Sequence, residues 1–154
     1  MSLAMTKKER DEFLAGVHIG VLSVPRDGAG PLTCPVWYSY EPGGEIVFVT
    51  GADSRKADIM SAGTRVSFCA QTEAGLPKYV TVEGPIVSIE KADIEAVRPI
   101  AHRYLGEEVG DAYLDQTRSG PEAPREIRVV VRPERWLSAD FAKRFAGLQN
   151  AETR

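Results

Sequence analysis

Cysteine and histidine are scarce. The 154 residues hold two cysteines, Cys34 and Cys69, in no C-x-x-C pair, and two histidines, His18 and His102, remote from them in the chain. That spacing argues against a disulfide framework and against a metal site, and it leaves two buried, reduced thiols as the expectation. Long apolar runs are missing as well. None approaches the roughly 18 residues that cross a bilayer, and residues 1–13 lack the apolar stretch of a secretory signal, so a cytoplasmic location is expected, with no membrane partner. A positive excess is also absent: 19 basic residues against 22 acidic ones leave a net charge of −3. Such a balance excludes a surface made to neutralise many nucleic-acid phosphates, while a small anionic ligand stays open. There is no Walker loop and no G-x-S-x-G; Gly28-Ala29-Gly30 runs into Pro31 and reads as a hairpin turn rather than a dinucleotide fingerprint.

What is present is an ordinary globular composition, 43% hydrophobic and 27% charged. The length fits one domain, taken as residues 1–147, with 148–154 expected to be a mobile tail. Charge is uneven along it. Residues 83–115 are mostly acidic among their charges and 125–144 mostly basic, a pattern of solvated faces.

Thr6-Lys7-Lys8-Glu9 has capping-box spacing, so a helix is expected from there to about Gly16. Strands are predicted over His18–Val24, Leu32–Tyr40 and Glu45–Thr50, joined by Gly/Pro turns. A short helix follows over Ser54–Ala62, with Ser54 as N-cap and Gly63 just past its end. Strands resume at Arg65–Thr72 and Lys78–Ile89, where Gly84-Pro85 reads as a bulge or bend. Asp93 caps a helix to about Leu105, a second covers about Glu107–Thr117, and Glu126–Arg132 makes the sixth strand before Pro133. Six strands with short early turns and late helices predict a mainly antiparallel sheet, closed into a barrel, rather than a doubly wound fold.

The segment Val47 to Ala57 is the most informative one, although Arg55 and Lys56 also fit as ordinary surface cations. A strand runs through a short loop into a helix start, where unpaired N–H groups favour an anion. Thr50 and Ser54 add hydroxyls, Arg55 a planar fork and Lys56 a point charge. Two cations in a first helical turn oppose the helix dipole, a conflict that a bound phosphate would resolve. The aromatics Trp37, Tyr38, Tyr79 and Trp136 also fit as ordinary half-buried strand residues. Neighbours on a strand point to opposite faces, so only one of Trp37 and Tyr38 can face a ligand.

The run Thr50-Gly51-Ala52-Asp53-Ser54-Arg55-Lys56-Ala57, with Pro35-Val36-Trp37-Tyr38 before it and Tyr79-Val80-Thr81-Val82-Glu83-Gly84 after it, resembles the pyridoxamine 5′-phosphate oxidase-like flavin-binding split barrels. These include the deazaflavin-dependent reductases. Arg132-Pro133-Glu134-Arg135-Trp136 resembles a family ending. The resemblance implies a six-stranded antiparallel split β-barrel with flanking helices, a homodimer with cofactor sites at the interface, and FMN or the deazaflavin coenzyme F420 as cofactor. Carried across, Thr50, Ser54, Arg55 and Lys56 would hold the phosphate and Pro35, Val36 and Trp37 would run along the ring. Tyr79 would stand where the oxidases carry glutamine, with Trp136 and Gln71 approaching from the barrel wall or the second subunit. Trp37–Tyr40 lacks the lysine that the vitamin-forming oxidases place near the flavin, which argues against their phosphorylated substrate. The expected function is a flavin- or deazaflavin-dependent oxidoreductase passing hydride to a small substrate. Tyr38, Tyr79 and His102 are the candidate acids, with none assigned. The alternative is a non-catalytic flavin or haem carrier on the same barrel.

Overall fold

The computed structural model describes residues 2–146, and the expected tail at 148–154 lies outside them. Thr6 opens the first helix, α1 (Lys7–Ala15), through the anticipated reciprocal box: Glu9 N donates to Thr6 Oγ1 at 3.2 Å and Thr6 N to Glu9 Oε2 at 2.7 Å. The barrel follows. Strands β1 (Gly20–Val24), β2 (Leu32–Val36), β3 (Ser39–Tyr40), β4 (Ile46–Gly51), β5 (Arg65–Gln71), β6 (Lys78–Ala92), β7 (Glu126–Val131) and β8 (Arg135–Asp140) pair antiparallel in the order β2-β1-β5-β6-β7-β4-β3, with β8 added on β6. The architecture is the expected mainly-β antiparallel barrel with flanking helices, and its eight strand segments refine the expected six.

Two local events make the difference in count. The predicted strand Leu32–Tyr40 breaks at Trp37-Tyr38, where Tyr38 N donates to the Tyr104 hydroxyl at 3.1 Å instead of to a ladder partner. β8 was hidden because Arg135-Trp136-Leu137-Ser138 lacks clean alternation; it is held by its register on β6, Val82 opposite Trp136 and Thr81 opposite Leu137.

The long β6 is the hinge of the architecture. Its first half pairs β5 and β8, and from Ile86 onward it pairs β7, with the register slipping between Ile86 and Ser88. Gly84 sits at the changeover because a Cβ there would stand 1.8 Å from the Arg132 carbonyl oxygen. Gly20 on β1 is constrained likewise, its virtual Cβ falling 2.1 Å from the Phe68 ring. Inside the barrel, Leu22, Phe48, Phe68, Val80, Val82 and Val129 are fully buried, the alternate residues of their strands facing out.

The helix predicted over Ser54–Ala62 shrinks to one turn, α2 (Arg55–Asp58), capped by Ser54, whose oxygen accepts from Ala57 N at 3.3 Å. α3 (Ile94–Leu105), capped by Asp93, and α4 (Glu107–Arg118) form a hairpin. A small second core of Val97, Ala101 and Leu114 seats that hairpin on Val49, on the outer side of β4. Both cysteines are free thiols but only half-buried, correcting the expectation of full burial: Cys34 packs against the barrel core, and Cys69 lies on the outer face of β5. None of the described helices is long and apolar enough to cross a membrane.

Candidate functional site

A trough runs between the open end of β2 and the helical hairpin. Its inner compartment, about 220 Å³, is lined by Pro35, Val36 and Trp37 from β2 and its end, Val49 and Thr50 from β4, and Lys56 from α2. Val97 and Ile100 of α3, Tyr113 and Arg118 of α4, and Glu126 at the start of β7 close it. Pro35, Val36 and Trp37 also wall a neighbouring apolar depression with Ile19. Ile19 in turn belongs to an outer compartment of about 380 Å³ with Val17, His18, Gln71, Thr72, Glu73 and Tyr104. Pro35, Val36 and Trp37 are common to the first two and Ile19 to the last two, so the three adjoin in series, and together they are called the trough.

Trp37 forms its middle. The indole stacks on the Tyr104 ring with centroids 4.8 Å apart and planes 6° apart, and Tyr113 leans on it at 5.9 Å. Tyr104 is fixed in turn, its hydroxyl donating to the His18 carbonyl at 2.5 Å while accepting from Tyr38 N. Burial pushes the Tyr104 phenol up from its ordinary pKa. The strand alternation assigns the two aromatics as it must: Trp37 lines the trough, and Tyr38 points into the barrel core with no exposure.

Electrostatically the inner compartment is mixed. Arg118 and Glu126 form a two-pronged pair, Nε to Oε2 at 2.9 Å and Nη2 to Oε1 at 2.7 Å, with side chains only 13% and 12% exposed. The Glu126 hydrogen bonds push the Arg118 pKa further up. Lys56, by contrast, has no carboxylate partner among the described residues, so the compartment carries a surplus positive charge beside the buried Thr50.

The expected site residues thus divide. Pro35, Val36, Trp37, Thr50 and Lys56 come together in the inner compartment. Ser54 is adjacent, as the cap of α2, and its hydroxyl hydrogen is still available to donate. Arg55 is exposed and does not line the compartment, while neighbouring Asp53 is paired with Arg125. Gln71 lies in the outer compartment. Tyr79 is half-buried on β6, paired with Gln71 across the β5–β6 ladder. Trp136 stands apart on β8, packed against the barrel core beneath the Arg10 guanidinium at 4.5 Å.

Two candidate acids prove to be committed elsewhere. The Tyr38 hydroxyl donates to the Leu14 carbonyl at 2.7 Å, and burial holds its pKa well above the phenolic range. His102 Nε2 lies 2.7 Å from Asp111 Oδ1, which also accepts from Arg98, and it takes no part in lining the trough. The sequence reading missed Tyr104, Tyr113, Arg118 and Glu126. A signal existed for the first, since Ile94, Val97, Ala101 and Tyr104 repeat at helical spacing and mark a face that must cover something.

A family model described as pyridoxamine 5′-phosphate oxidase matches residues 6–139. The chain belongs to this family. Solved structures related to this oxidase-family chain include the conserved hypothetical protein Rv2991 of Mycobacterium tuberculosis, with a TM-score of 0.67 at 24% identity over 90% of this chain and 86% of that one. An F420 reductase aligns with a TM-score of 0.58 at 20% identity, covering 82% and 94% of the two chains. A Mycobacterium smegmatis protein that binds FAD and haem gives 0.59 at 13% identity, covering 88% and 71%. At these identities the likeness establishes the shared split-barrel fold. A search of curated proteins gives no significant match.

Proposed function

We propose that the chain is an oxidoreductase that holds a flavin or deazaflavin cofactor in the trough, its phosphate at the Thr50–Lys56 corner, and passes hydride to a small substrate. One observation carries the reading: Pro35–Trp37, Thr50 and Lys56, from two separate stretches, form one compartment with a surplus cation. Membership of the oxidase family and the F420 and FAD proteins among its structural relatives support it. A reduced flavin or deazaflavin supplies the hydride chemistry when bound. Lys56 and the hydroxyls of Thr50 and Ser54 bind the phosphate. Trp37, clamped by Tyr104, presents a flat apolar wall, and the α3–α4 hairpin keeps water from that side. Titration with FMN and with F420, followed by turnover of the reduced form with candidate acceptors, tests this. Saturable binding with acceptor-dependent reoxidation is expected; failure of both cofactors to bind overturns it.

A second reading, a non-catalytic flavin or haem carrier, is favoured by one observation: Tyr38 and His102, two of the three candidate acids, are already hydrogen-bonded away from the trough. Tight binding without any reoxidation would select it.

The functional unit is proposed to be a homodimer. Pro35, Val21, Cys69, Thr81 and Leu137 lie side by side across β2, β1, β5, β6 and β8, facing away from the barrel. The helices pack chiefly on β3, β4 and β6, and Leu137 is 61% exposed. A twofold-related copy would cover this exposed row. Sedimentation of the purified chain is expected to show a dimer.

A further inference from the structure

Opposite the cationic corner lies the compartment lined by Val17, His18, Ile19, Gln71, Glu73 and Tyr104, beyond the Pro35–Trp37 wall assigned to the cofactor ring; of its residues only Gln71 was among the expected cofactor contacts. Its walls are built firmly. His18 stacks on Phe13 at 4.2 Å, admitted by Gly16, whose virtual Cβ falls 3.0 Å from His18 Nε2. Burial lowers the imidazole's pKa, so this wall is uncharged at neutral pH. The turn carrying Glu73 is pinned by Thr72 N donating to Lys78 O at 2.9 Å and Lys78 N donating to Thr72 Oγ1 at 3.1 Å.

Among the described residues, Glu73 is the one carboxylate lining this compartment, and no cation among them lines it. Two cations stand behind the wall, both engaged: Lys78 lies 3.4 Å from Asp140, and Arg103 donates to the Gly16 carbonyl at 2.6 Å. Val17 and Ile19 offer exposed apolar surface, 58% and 39%. One end of the trough therefore favours an anion, and the other pairs an apolar wall with a negative charge.

We propose that the outer compartment receives the acceptor substrate and that Glu73 restricts it to uncharged or cationic molecules with an apolar body. The inference rests on the cofactor occupying the inner compartment.

The test uses three probes of one shape, 1-methylquinolinium, quinoline and quinoline-4-carboxylate, titrated onto the full chain with and without FMN or F420. Backbone amide shifts at Val17–Ile19 and Gln71–Glu73 locate binding. At low salt the cation is expected to bind about tenfold tighter than the anion, with the neutral probe between, and 1 M NaCl to shrink that gap. Glu73→Gln should bring all three within about twofold, and Glu73→Lys should invert the order. An unchanged order in Glu73→Lys, shifts confined to other residues, or no binding of any probe overturns the proposal. Separate cofactor titrations on the same samples keep the two claims apart. Cofactor binding with charge-blind probe binding removes only the substrate assignment. Charge-ordered probe binding without any cofactor binding keeps the selectivity of the compartment and removes the oxidoreductase reading.

Discussion

Lys56 and Arg118 both reach the inner compartment, yet they are not equivalent cations. Arg118 is held by Glu126 on two prongs, whereas Lys56 has no such partner among the described residues. Lys56→Ala should therefore weaken cofactor binding by about 1.5–3 kcal/mol, the worth of a charged hydrogen bond, while Arg55→Ala, at an exposed position outside the compartment, should do far less. Parallel titrations with each cofactor check this. Glu126→Gln removes the competing negative charge and should tighten phosphate binding roughly fivefold, read with the same titration. Glu9 is one of several carboxylates whose lowered pKa makes the fold sensitive to acid. Glu9 accepts from Lys143 and from the Thr6 backbone, which lowers its pKa from 4.5 to about 2. The charged carboxylate thus stabilises the folded chain above pH 4.5, and that contribution fades as pH falls through about 2. Thermal melts should show Glu9→Gln less stable than wild type at neutral pH, with the difference closing on acidification. The Thr50–Lys56 side of the inner compartment was legible in the sequence because strand, cap and cation are contiguous there. Arg118 was not, because its place depends on how the α3–α4 hairpin settles on Val49.

At the level of elements, close approaches rather than propensities fix the barrel. Gly84 lets β6 pass the Arg132 carbonyl as it changes partners, and Gly20 makes room for the Phe68 ring. Gly20→Ala should cost about 1–3 kcal/mol by overpacking. Gly84→Ala should cost at least as much, since the obstacle is backbone. Gly51→Ala, whose Cβ would meet nothing within 4 Å, is the control for denaturant melts. Element identity was readable wherever a local cause existed: the Thr6–Glu9 box, the Asp93 cap and the Gly/Pro turns all fall where expected. The misreadings arose where tertiary contacts decide. Tyr104 breaks the strand at Trp37-Tyr38, and β8 exists only through its pairing with β6. A pattern of residue types does not encode which long-range partner arrives.

For the molecule as a whole, the bare face of β2-β1-β5-β6-β8 is the proposed place of assembly and the trough beside it the proposed place of ligand binding. If a second copy covers that face, Leu137→Glu should convert the dimer to a monomer in sedimentation, by placing a charge in the row Val21–Cys69–Thr81–Leu137. Bound cofactor should be released in parallel, because the proposed sites lie at the interface; full retention by the monomer would contradict that placement. The overall architecture was the most legible feature, since six of the strands and the family motifs lie in order along the chain. The trough was less so, because it is assembled from β2, β4, α2, α3, α4 and the start of β7. The proposed function rests above all on a phosphate anchored beside Thr50 and Lys56. The most direct measurement compares the affinity of the chain for FMN or F420 with that for the same cofactor stripped of its phosphate. A loss of at least about 100-fold is expected without the phosphate, from two or more charged or hydroxyl hydrogen bonds. Equal affinity for the two forms would contradict it.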